Sequence, residues 1–169
     1  QNSDGSFSCP KFPVGEVEYF YNTQGSNKLQ AEWMQAQWKQ NLGVTVPLRN
    51  MEWKTFLDAK GKLEYKGFAR SGWGADYMDP FTFLSVFYTG GGRGTGWVDQ
   101  NYITMLDEAN RTLDTKKRYE LLAKAEAYML DQQPVIPIAS TAVNWMKKPY
   151  VKGMYPNPGS LFPWKFVYI

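Results

Sequence analysis

The chain has 169 residues, of which 43% are hydrophobic and 21% are charged, and its formal net charge is +3. This length supports one domain with a real core, the small charge does not indicate nucleic-acid binding, and no apolar run is long enough to span a bilayer. Histidine is absent and Cys9 is the single cysteine, which removes the commonest general base, the commonest zinc ligand and an internal disulfide, so we expect no metal and no cofactor.

The chain is expected to begin with a polar lead-in, residues 1–16. This stretch has neither a basic start nor an apolar core, so it does not predict a signal peptide. Cys9 has no apolar segment ahead of it, which favours a free thiol over a lipid-anchor cysteine. The next segment, "VEYFYN" (17–22), is rich in β-forming residues and predicts a strand.

A long helix is predicted to start at Ser26 or Asn27, either of which can cap it, and to end at Gly43. Its apolar residues recur at helical spacing, which predicts one buried stripe. The two tryptophans of the stripe could form a platform for a ligand, but core packing is favoured. The stripe consists of Leu29, Trp33, Met34, Trp38 and Leu42.

Three further elements are predicted before residue 74. "VTVPLRN" (44–50) alternates like a strand, and Pro47 is expected to shorten it or to place it at a sheet edge. "MEWKTFLDAK" (51–60) predicts a short amphipathic helix, and "EYKGFARSGW" (64–73) predicts an extended segment. The resulting order of strand, helix, strand, helix, strand predicts an α/β fold with a mixed sheet and crossover helices.

The middle of the chain predicts a short helix and a loop. The helix follows Asp79 and carries its apolar side chains on one side. "TGGGRGTGW" (89–97) then follows a helix rather than a strand and lacks the lysine of a phosphate-binding loop, so it predicts a flexible loop. The apolar side of the short helix consists of Phe83, Leu84, Phe87 and Tyr88.

Two consecutive helices are predicted next, capped by Asp99 and Asp114, and Pro134 is expected to end the second. "PVIPIASTAVNWM" (134–146) predicts a strand-like run broken by a proline, and the final "FVYI" predicts a closing strand. The buried face of the second helix is expected to consist of Leu121, Leu122, Ala125 and Met129.

The segment "GWGADYMDP" (72–80) carries two aspartates with different expected roles. Asp79 precedes Pro80 and an apolar helix, so its carboxylate is expected to cap that helix and to stay charged, which makes a poor general acid. Asp76 has no capping role and lies between a strand end and a helix start, where α/β folds place ligands. We interpret Asp76 as a site for an ammonium group, with an ordinary turn aspartate as the alternative.

Arg70 lies six residues before Asp76 and is a candidate for binding a ligand carboxylate. If the segment were extended, the two charges would lie roughly 20 Å apart at about 3.3 Å per residue, which suits a peptide of several residues. A bend at Gly72 or Gly74 would suit a di- or tripeptide. These glycines also allow a ligand backbone to approach closely, as strand addition requires. Alternatively, Arg70 pairs with a carboxylate of the protein.

Several motifs, in the same order and spacing, resemble the C-terminal part of the oligopeptide-binding proteins of bacterial ABC importers, the family 5 extracellular solute-binding proteins. They are "GWGADYMDPFTFL", the run that ends in "EWKTFLD", the segment "YELLAKAEAYMLDQQPVIPI" and the closing "FVYI". The resemblance extends over residues 17–169. It implies one lobe of a two-lobed, periplasmic-binding-protein (type II-like) architecture that binds peptide between its lobes and is not an enzyme.

The resemblance also implies residue roles. The residue matching Asp76 pairs with the α-ammonium of a short peptide, and the residue matching Arg70 reaches a ligand carboxylate. The backbone of Gly72 to Gly74 offers hydrogen bonds to the peptide. Trp73 lines the cleft, although core packing of this side chain is an alternative.

The implied organisation is a ligand-binding lobe at 17–143 and a return segment at 144–169, which would pack on an N-terminal lobe that this sequence does not contain. The implied partners are that lobe, a short peptide and the permease subunits of an ABC importer, with no nucleic acid. The implied location is extracytoplasmic, either periplasmic or lipid-anchored at the outer face of the cell membrane. A half-cleft is expected to bind peptide weakly or undetectably.

Two other functions fit parts of the same pattern. The receptor could bind an oligosaccharide or another solute, although a neutral sugar needs no opposing charge such as Asp76. A glycosidase could use Asp76 and Asp79 as acid and base, which requires carboxyl groups about 5–9.5 Å apart, one of them with a raised pKa. The expected capping role of Asp79 argues against the glycosidase.

Overall fold

The computed structural model describes residues 2–5, 7–88, 92–142, 144–157, 159 and 161–169. Contacts divide these residues into two compact units. The first lies within Gln1–Gly72 and Arg93–Gly96, and the second within Trp73–Gly92 and Trp97–Ile169. In the described residues, no helix has the length and the apolar run that crossing a membrane requires.

The first unit is built on a parallel sheet of three strands. Strand β1 (Glu18–Asn22) lies in the centre, between β2 (Leu48–Met51) and β3 (Gly67–Ala69). Helix α1 (Asn27–Leu42) connects β1 to β2, and helix α2 (Trp53–Gly61) connects β2 to β3. The predicted α/β class, order of elements and crossover helices are therefore confirmed, and the sheet of the described residues is parallel rather than mixed. Strand β2 is at an edge and begins directly after a proline, as the sequence predicts.

The two faces of the sheet are covered by different helices because side chains alternate along β1. Tyr19 and Tyr21 pack on one face with Ala31 of α1. Phe20 points to the other face and packs against Phe56 of α2, with the ring centroids 4.6 Å apart. The sheet is thus a central layer between two helices.

The prediction of one buried stripe on α1 is wrong for Leu29 and Trp33, which are 69% and 62% exposed. Met34 and Trp38 do pack against the core. At about 100° per residue, Leu29 and Trp33 lie roughly opposite Ala31, the residue through which α1 meets the sheet. The helix ends at Gly43, which adopts the left-handed conformation with a φ of 71°.

The second unit contains three α-helices in its described part: α3 (Phe81–Leu84), α4 (Gln100–Arg111) and α5 (Thr115–Gln132). A 3₁₀ turn (Ser85–Phe87) follows α3 directly. The predicted buried face of α5 is confirmed, because it packs against α4 and the end of α3. The buried core consists of Leu84, Tyr102, Leu106, Ala109, Leu122, Ala125 and Met129.

The predicted ends of α4 and α5 are confirmed. The Asp99 carboxylate accepts a hydrogen bond from the Tyr102 N–H at 2.9 Å, and the Asp114 carboxylate accepts one from the Lys117 N–H at 2.7 Å. Helix α5 stops at Gln132, and Gln133 turns into the left-handed conformation just before the proline.

The predicted strand at 134–146 is wrong for the described residues of that range, which contain no strand. Pro134 and Pro137 have no N–H to donate to a sheet. Val135 still packs against the core of the second unit, but Ile136 and Ile138 are more than half exposed, so the run has no continuous buried face. The closing "FVYI" forms a single antiparallel bridge, at Tyr168, rather than a strand.

The predicted flexible loop lies partly outside the described residues, which omit 89–91. Its later part, Arg93–Gly96, belongs to the first unit, where the Tyr65 hydroxyl donates to the Gly94 carbonyl at 2.5 Å. The boundaries expected at residues 16/17 and 143/144 stay predictions.

Replacing Leu106 with Ala should lower the free energy of unfolding of the second unit by about 2–5 kcal/mol, because Leu106 is fully buried and the change leaves a cavity. The same change at Leu113, which is 98% exposed, should alter it by less than about 0.5 kcal/mol. Urea unfolding, followed by NMR signals of α4 and α5, measures both. Equal effects of the two variants would contradict the described core.

Candidate functional site

The chain leaves the sheet at Arg70, at the edge where parallel strands end and α/β folds place ligands. The Arg70 N–H donates to the Phe20 carbonyl at 2.7 Å, so the pairing with β1 continues one residue past β3. The Arg70 guanidinium is half-buried, and within the described ranges it makes no ion pair or hydrogen bond. Its role towards a ligand stays a prediction.

Lys60, which the sequence analysis did not single out, holds the segment after β3. It is 7% exposed, and its Nζ donates to the Ser71 hydroxyl at 3.0 Å and to the Arg70 carbonyl at 3.4 Å. Burial, together with repulsion from Arg93 and Arg70, lowers the pKa of Lys60 to about 8. Lys60 lies four residues after Phe56, on the buried face of α2. A charged residue on that apolar face is the sequence feature that could have identified it.

The next stretch, from Gly72 to Gly74, is exposed and has no regular secondary structure. A Cβ atom added at Gly72 or Gly74 would have no described atom within 4 Å, and neither glycine has a positive φ. Neither the local packing nor the backbone conformation therefore requires glycine here. This leaves the close approach of a ligand backbone as a reason for glycine. Trp73, between the two glycines, is 39% exposed.

Asp76 lies in the second unit with its carboxylate exposed. Its N–H donates to the Thr82 hydroxyl at 3.1 Å, which ties its backbone to α3. Among the residues that the structure describes, none donates a hydrogen bond to the Asp76 carboxylate or forms an ion pair with it.

Asp79 is engaged by the protein on both carboxylate oxygens. Its Oδ1 accepts from the Phe81 N–H at 2.9 Å, which confirms the predicted cap. Arg118 of α5 donates through Nη1 to Oδ2 at 2.6 Å and through Nη2 to Oδ1 at 2.9 Å. These bonds from Arg118 and Phe81 lower the pKa of Asp79. No local pattern predicted Arg118, which lies 39 residues away in sequence.

The two aspartates are therefore in different states, although they lie only three positions apart in sequence. Asp79 is a charged, occupied carboxylate, and a lowered pKa is the opposite of what the acid of a glycosidase needs. Asp76 has a solvent-facing carboxylate that suits the recognition of a positive group. The described residues contain no group of three or more metal-ligating side chains that could bind a metal ion.

The predicted site residues divide between the units. Arg70 and Gly72 belong to the first, and Trp73, Gly74 and Asp76 belong to the second. Within the first unit the structure brings Arg70 and Ser71 to Lys60, and within the second it brings Asp76 to Thr82.

Comparison with known proteins gives a consistent match. The sequence model of the family described as "Bacterial extracellular solute-binding proteins, family 5 Middle" matches residues 3–95. The oligopeptide-binding protein OppA of Bacillus subtilis (strain 168) is 35% identical over 150 residues, which are 87% of this chain and 27% of OppA. The probable deoxycholate-binding periplasmic protein YgiS of Escherichia coli (strain K12) is 35% identical over 137 residues, 80% of this chain and 25% of YgiS.

A solved structure agrees with these matches. The crystal structure of a periplasmic oligopeptide-binding protein (OppAIV, oligopeptide ABC transporter) from Borrelia burgdorferi is 32% identical, with a TM-score of 0.82 over 94% of this chain and 32% of that one. The chain thus spans between a quarter and a third of the length of these relatives.

Replacing Asp79 with Asn should lower the free energy of unfolding of the second unit by about 1–2 kcal/mol at pH 7, because Arg118 loses its ion pair, whereas the Asn side-chain oxygen can still accept from the Phe81 N–H. The matched change of Asp76 to Asn should cost less than about 0.5 kcal/mol. The loss of stability in Asp79→Asn, relative to the wild type, should vanish as the pH falls through the lowered pKa of Asp79, because protonation removes the ion pair from the wild type. Urea unfolding at pH 7 and at a series of acidic pH values down to pH 2 tests both statements.

Replacing Lys60 with Met should remove a pH dependence from the free energy of unfolding of the first unit. The folded pKa of Lys60 is about 8 and its ordinary value is 10.5. Between these values the unfolded state binds the extra proton, so the wild type gains stability as the pH rises. The free energy of unfolding of the wild type, relative to Lys60→Met, should rise by about 1–3 kcal/mol between pH 7 and pH 10. If the free energies of unfolding of the wild type and of Lys60→Met, measured from the NMR signals of β1, differed by the same amount at every pH, the lowered pKa of Lys60 would be contradicted.

Proposed function

The chain belongs to the bacterial extracellular solute-binding proteins of family 5, and from this premise we propose that it is the ligand-binding lobe of a receptor for short peptides in an ABC importer. The observation that carries the proposal is the state of Asp76: an exposed carboxylate without a described protein partner, on a backbone fixed by Thr82. A relative that is 35% identical is named for oligopeptide binding.

In the proposed site, Asp76 pairs with the α-ammonium of the peptide. The backbone of Gly72 to Gly74 pairs with the peptide backbone by strand addition. Arg70 binds a carboxylate of the ligand, and Trp73 lines the cleft. The structure leaves space around the two glycines, so a bulkier residue at either position would clash with no protein atom. It would instead obstruct a peptide backbone that approaches this segment, which supports the assignment.

The remaining roles of the whole receptor are also proposals, since this chain spans only part of its relatives. We place the receptor outside the cytoplasm, in the periplasm or lipid-anchored at the outer face of the cell membrane. Its further partners are an N-terminal lobe, onto which residues 144–169 return, and the permease subunits of the importer. It has no enzymatic activity, because the family consists of solute-binding proteins and Asp79 is committed to Arg118.

A second candidate keeps the receptor and changes its cargo. YgiS, which is 35% identical, is named for deoxycholate, a solute without an ammonium group. An anionic solute of that kind would be matched by Arg70, and an oligosaccharide would need neither charge. A receptor for peptides therefore depends on the positive charge of its ligand at Asp76, whereas a receptor for an anionic solute or an oligosaccharide does not.

A titration with trialanine and with N-acetyl-trialanine, followed by NMR, tests the proposed cargo. We expect weak binding in the millimolar range, because one lobe leaves most of the ligand in water. Acetylation removes the positive charge and should weaken binding about threefold or more, given what an exposed ion pair contributes. The largest shift changes should include the Asp76 amide.

The Asp76→Asn variant should bind both peptides equally, whereas Asp131→Asn, which changes an exposed aspartate of α5, should keep the preference for the free ammonium. Equal binding of the two peptides by the wild type would contradict the role of Asp76 and favour the second candidate. A low-micromolar affinity would contradict the expectation that one lobe is only half of a site.

A further inference from the structure

Arg118 of α5 is connected to the backbone of Asp76 by an unbroken series of hydrogen bonds within the second unit. We propose that Arg118 is a positioning residue for ligand recognition: through Asp79 and Thr82 it fixes the loop that presents the Asp76 carboxylate. This inference rests on the proposed role of Asp76, and it adds a residue that touches no ligand and lies far from the motif in sequence.

The first step is the attachment of Asp79 to α5. The guanidinium of Arg118 binds both carboxylate oxygens, at 2.6 and 2.9 Å, in the two-pronged geometry that fixes orientation as well as distance. The two side chains are each 21% exposed, so water and salt screen the pair less than a fully exposed one. Helix α5 is itself anchored by Leu122 in the buried core, which gives Arg118 a fixed base.

The second step leads from Asp79 to Asp76. The Asp79 carbonyl accepts from the Thr82 N–H at 3.1 Å, and the Thr82 hydroxyl accepts from the Asp76 N–H at 3.1 Å. Thr82 is 2% exposed, so its hydroxyl has little room to choose another orientation. The loop from Asp76 to Asp79 is therefore closed at both ends by hydrogen bonds that involve α3.

Apart from these bonds and a hydrogen bond from the Asp79 N–H to the Tyr77 carbonyl at 3.0 Å, this loop receives little support from buried side chains among the described residues. Tyr77 is 49% exposed and Met78 is 75% exposed, and Asp76 is exposed as well. Side chains that stay in water contribute little burial to offset the entropy of ordering the backbone. Hydrogen bonds are thus the main restraint on the loop itself. Arg118 supplies the one hydrogen-bonded connection from this network to α5 that the described residues show, beside the packing of Phe81 and Leu84 of α3 on the core that includes Leu122.

This arrangement predicts how substitutions act. A loop that is ordered before the ligand arrives loses less entropy on binding. Without Arg118 the loop would sample other conformations, and the Asp76 carboxylate would meet the ammonium in only some of them. Lysine at position 118 could not reproduce the effect fully, because an ammonium cannot bind both oxygens of a carboxylate in a fixed fork.

Solvent exchange of the Asp76 amide, measured by NMR on the 169-residue chain, tests the positioning role without any ligand. In Arg118→Gln the Asp76 amide should exchange at least about tenfold faster, since its hydrogen bond to Thr82 is no longer held in place. The matched control is Lys117→Gln, which removes a neighbouring exposed charge from the same turn of α5 and should leave the rate unchanged. The Leu122 amide reports whether α5 stays folded.

A second variant keeps the test decisive if Arg118→Gln also loosens α5. Thr82→Val removes the hydroxyl that accepts from Asp76 and preserves the shape of the side chain and the Asp79–Arg118 pair. It should speed exchange at the Asp76 amide while the Phe81 amide, which donates to Asp79, keeps its rate. Unchanged exchange at the Asp76 amide in Arg118→Gln would overturn the proposal, and so would unchanged exchange in Thr82→Val, whatever the chain binds.

The ligand readout separates this inference from the proposed function. The ratio of trialanine to N-acetyl-trialanine affinity should fall towards one in Arg118→Gln and stay at the wild-type value in Lys117→Gln. If the wild type prefers the free ammonium and Arg118→Gln keeps the full preference, the positioning role is wrong and the proposed function stands. If the wild type shows no preference, the proposed function is wrong, and the exchange rates alone decide whether Arg118 orders the loop.

Discussion

The ion pair between Arg118 and Asp79 is the interaction on which the candidate site of the second unit depends. Together with the Phe81 N–H it engages both oxygens of Asp79, whereas the Asp76 carboxylate, three positions earlier, faces solvent. A carboxylate that already accepts three hydrogen bonds from the protein has little left to offer a ligand. The same bond thus explains a helix start, a fixed loop and the choice of Asp76 over Asp79 as the recognition group.

The segment between β3 and α3 is fixed near each end by a cation from a helix, each within its own unit. Lys60 of α2 holds the chain at Arg70 and Ser71, and Arg118 of α5 holds it at Asp79. The burial of Lys60 is costly, as its lowered pKa shows, so it weakens the fold while it orders the chain. Between the two anchors lie exposed glycines that nothing in the local packing requires. In the proposed site, these glycines are the positions at which a peptide backbone would approach.

The sequence predicted the features that depend on neighbouring residues. Caps such as Asp99 and Asp114, and the order of strands and helices, follow from signals within a few positions. The features that the sequence did not predict depend on residues far apart in sequence or on which element packs against which. Trp33 was assigned to the core because helical spacing alone does not say which side of α1 meets the sheet. The strand expected at 134–146 had the right residue types, but the described residues pair no strand with it. No local pattern connects Arg118 to Asp79.

The exposure of Asp76 also constrains where the affinity of the proposed receptor originates. An ion pair between exposed groups contributes little, because water solvates both charges nearly as well as they solvate each other. The same pair becomes strong only when a second surface excludes water and lowers the effective dielectric constant around it. In the proposed receptor, this lobe would orient a peptide and discriminate its charged end, whereas tight binding would require a second surface that encloses the ligand. Pre-ordering by Arg118 matters most in that setting, because an enclosed charge that misses its partner is costly.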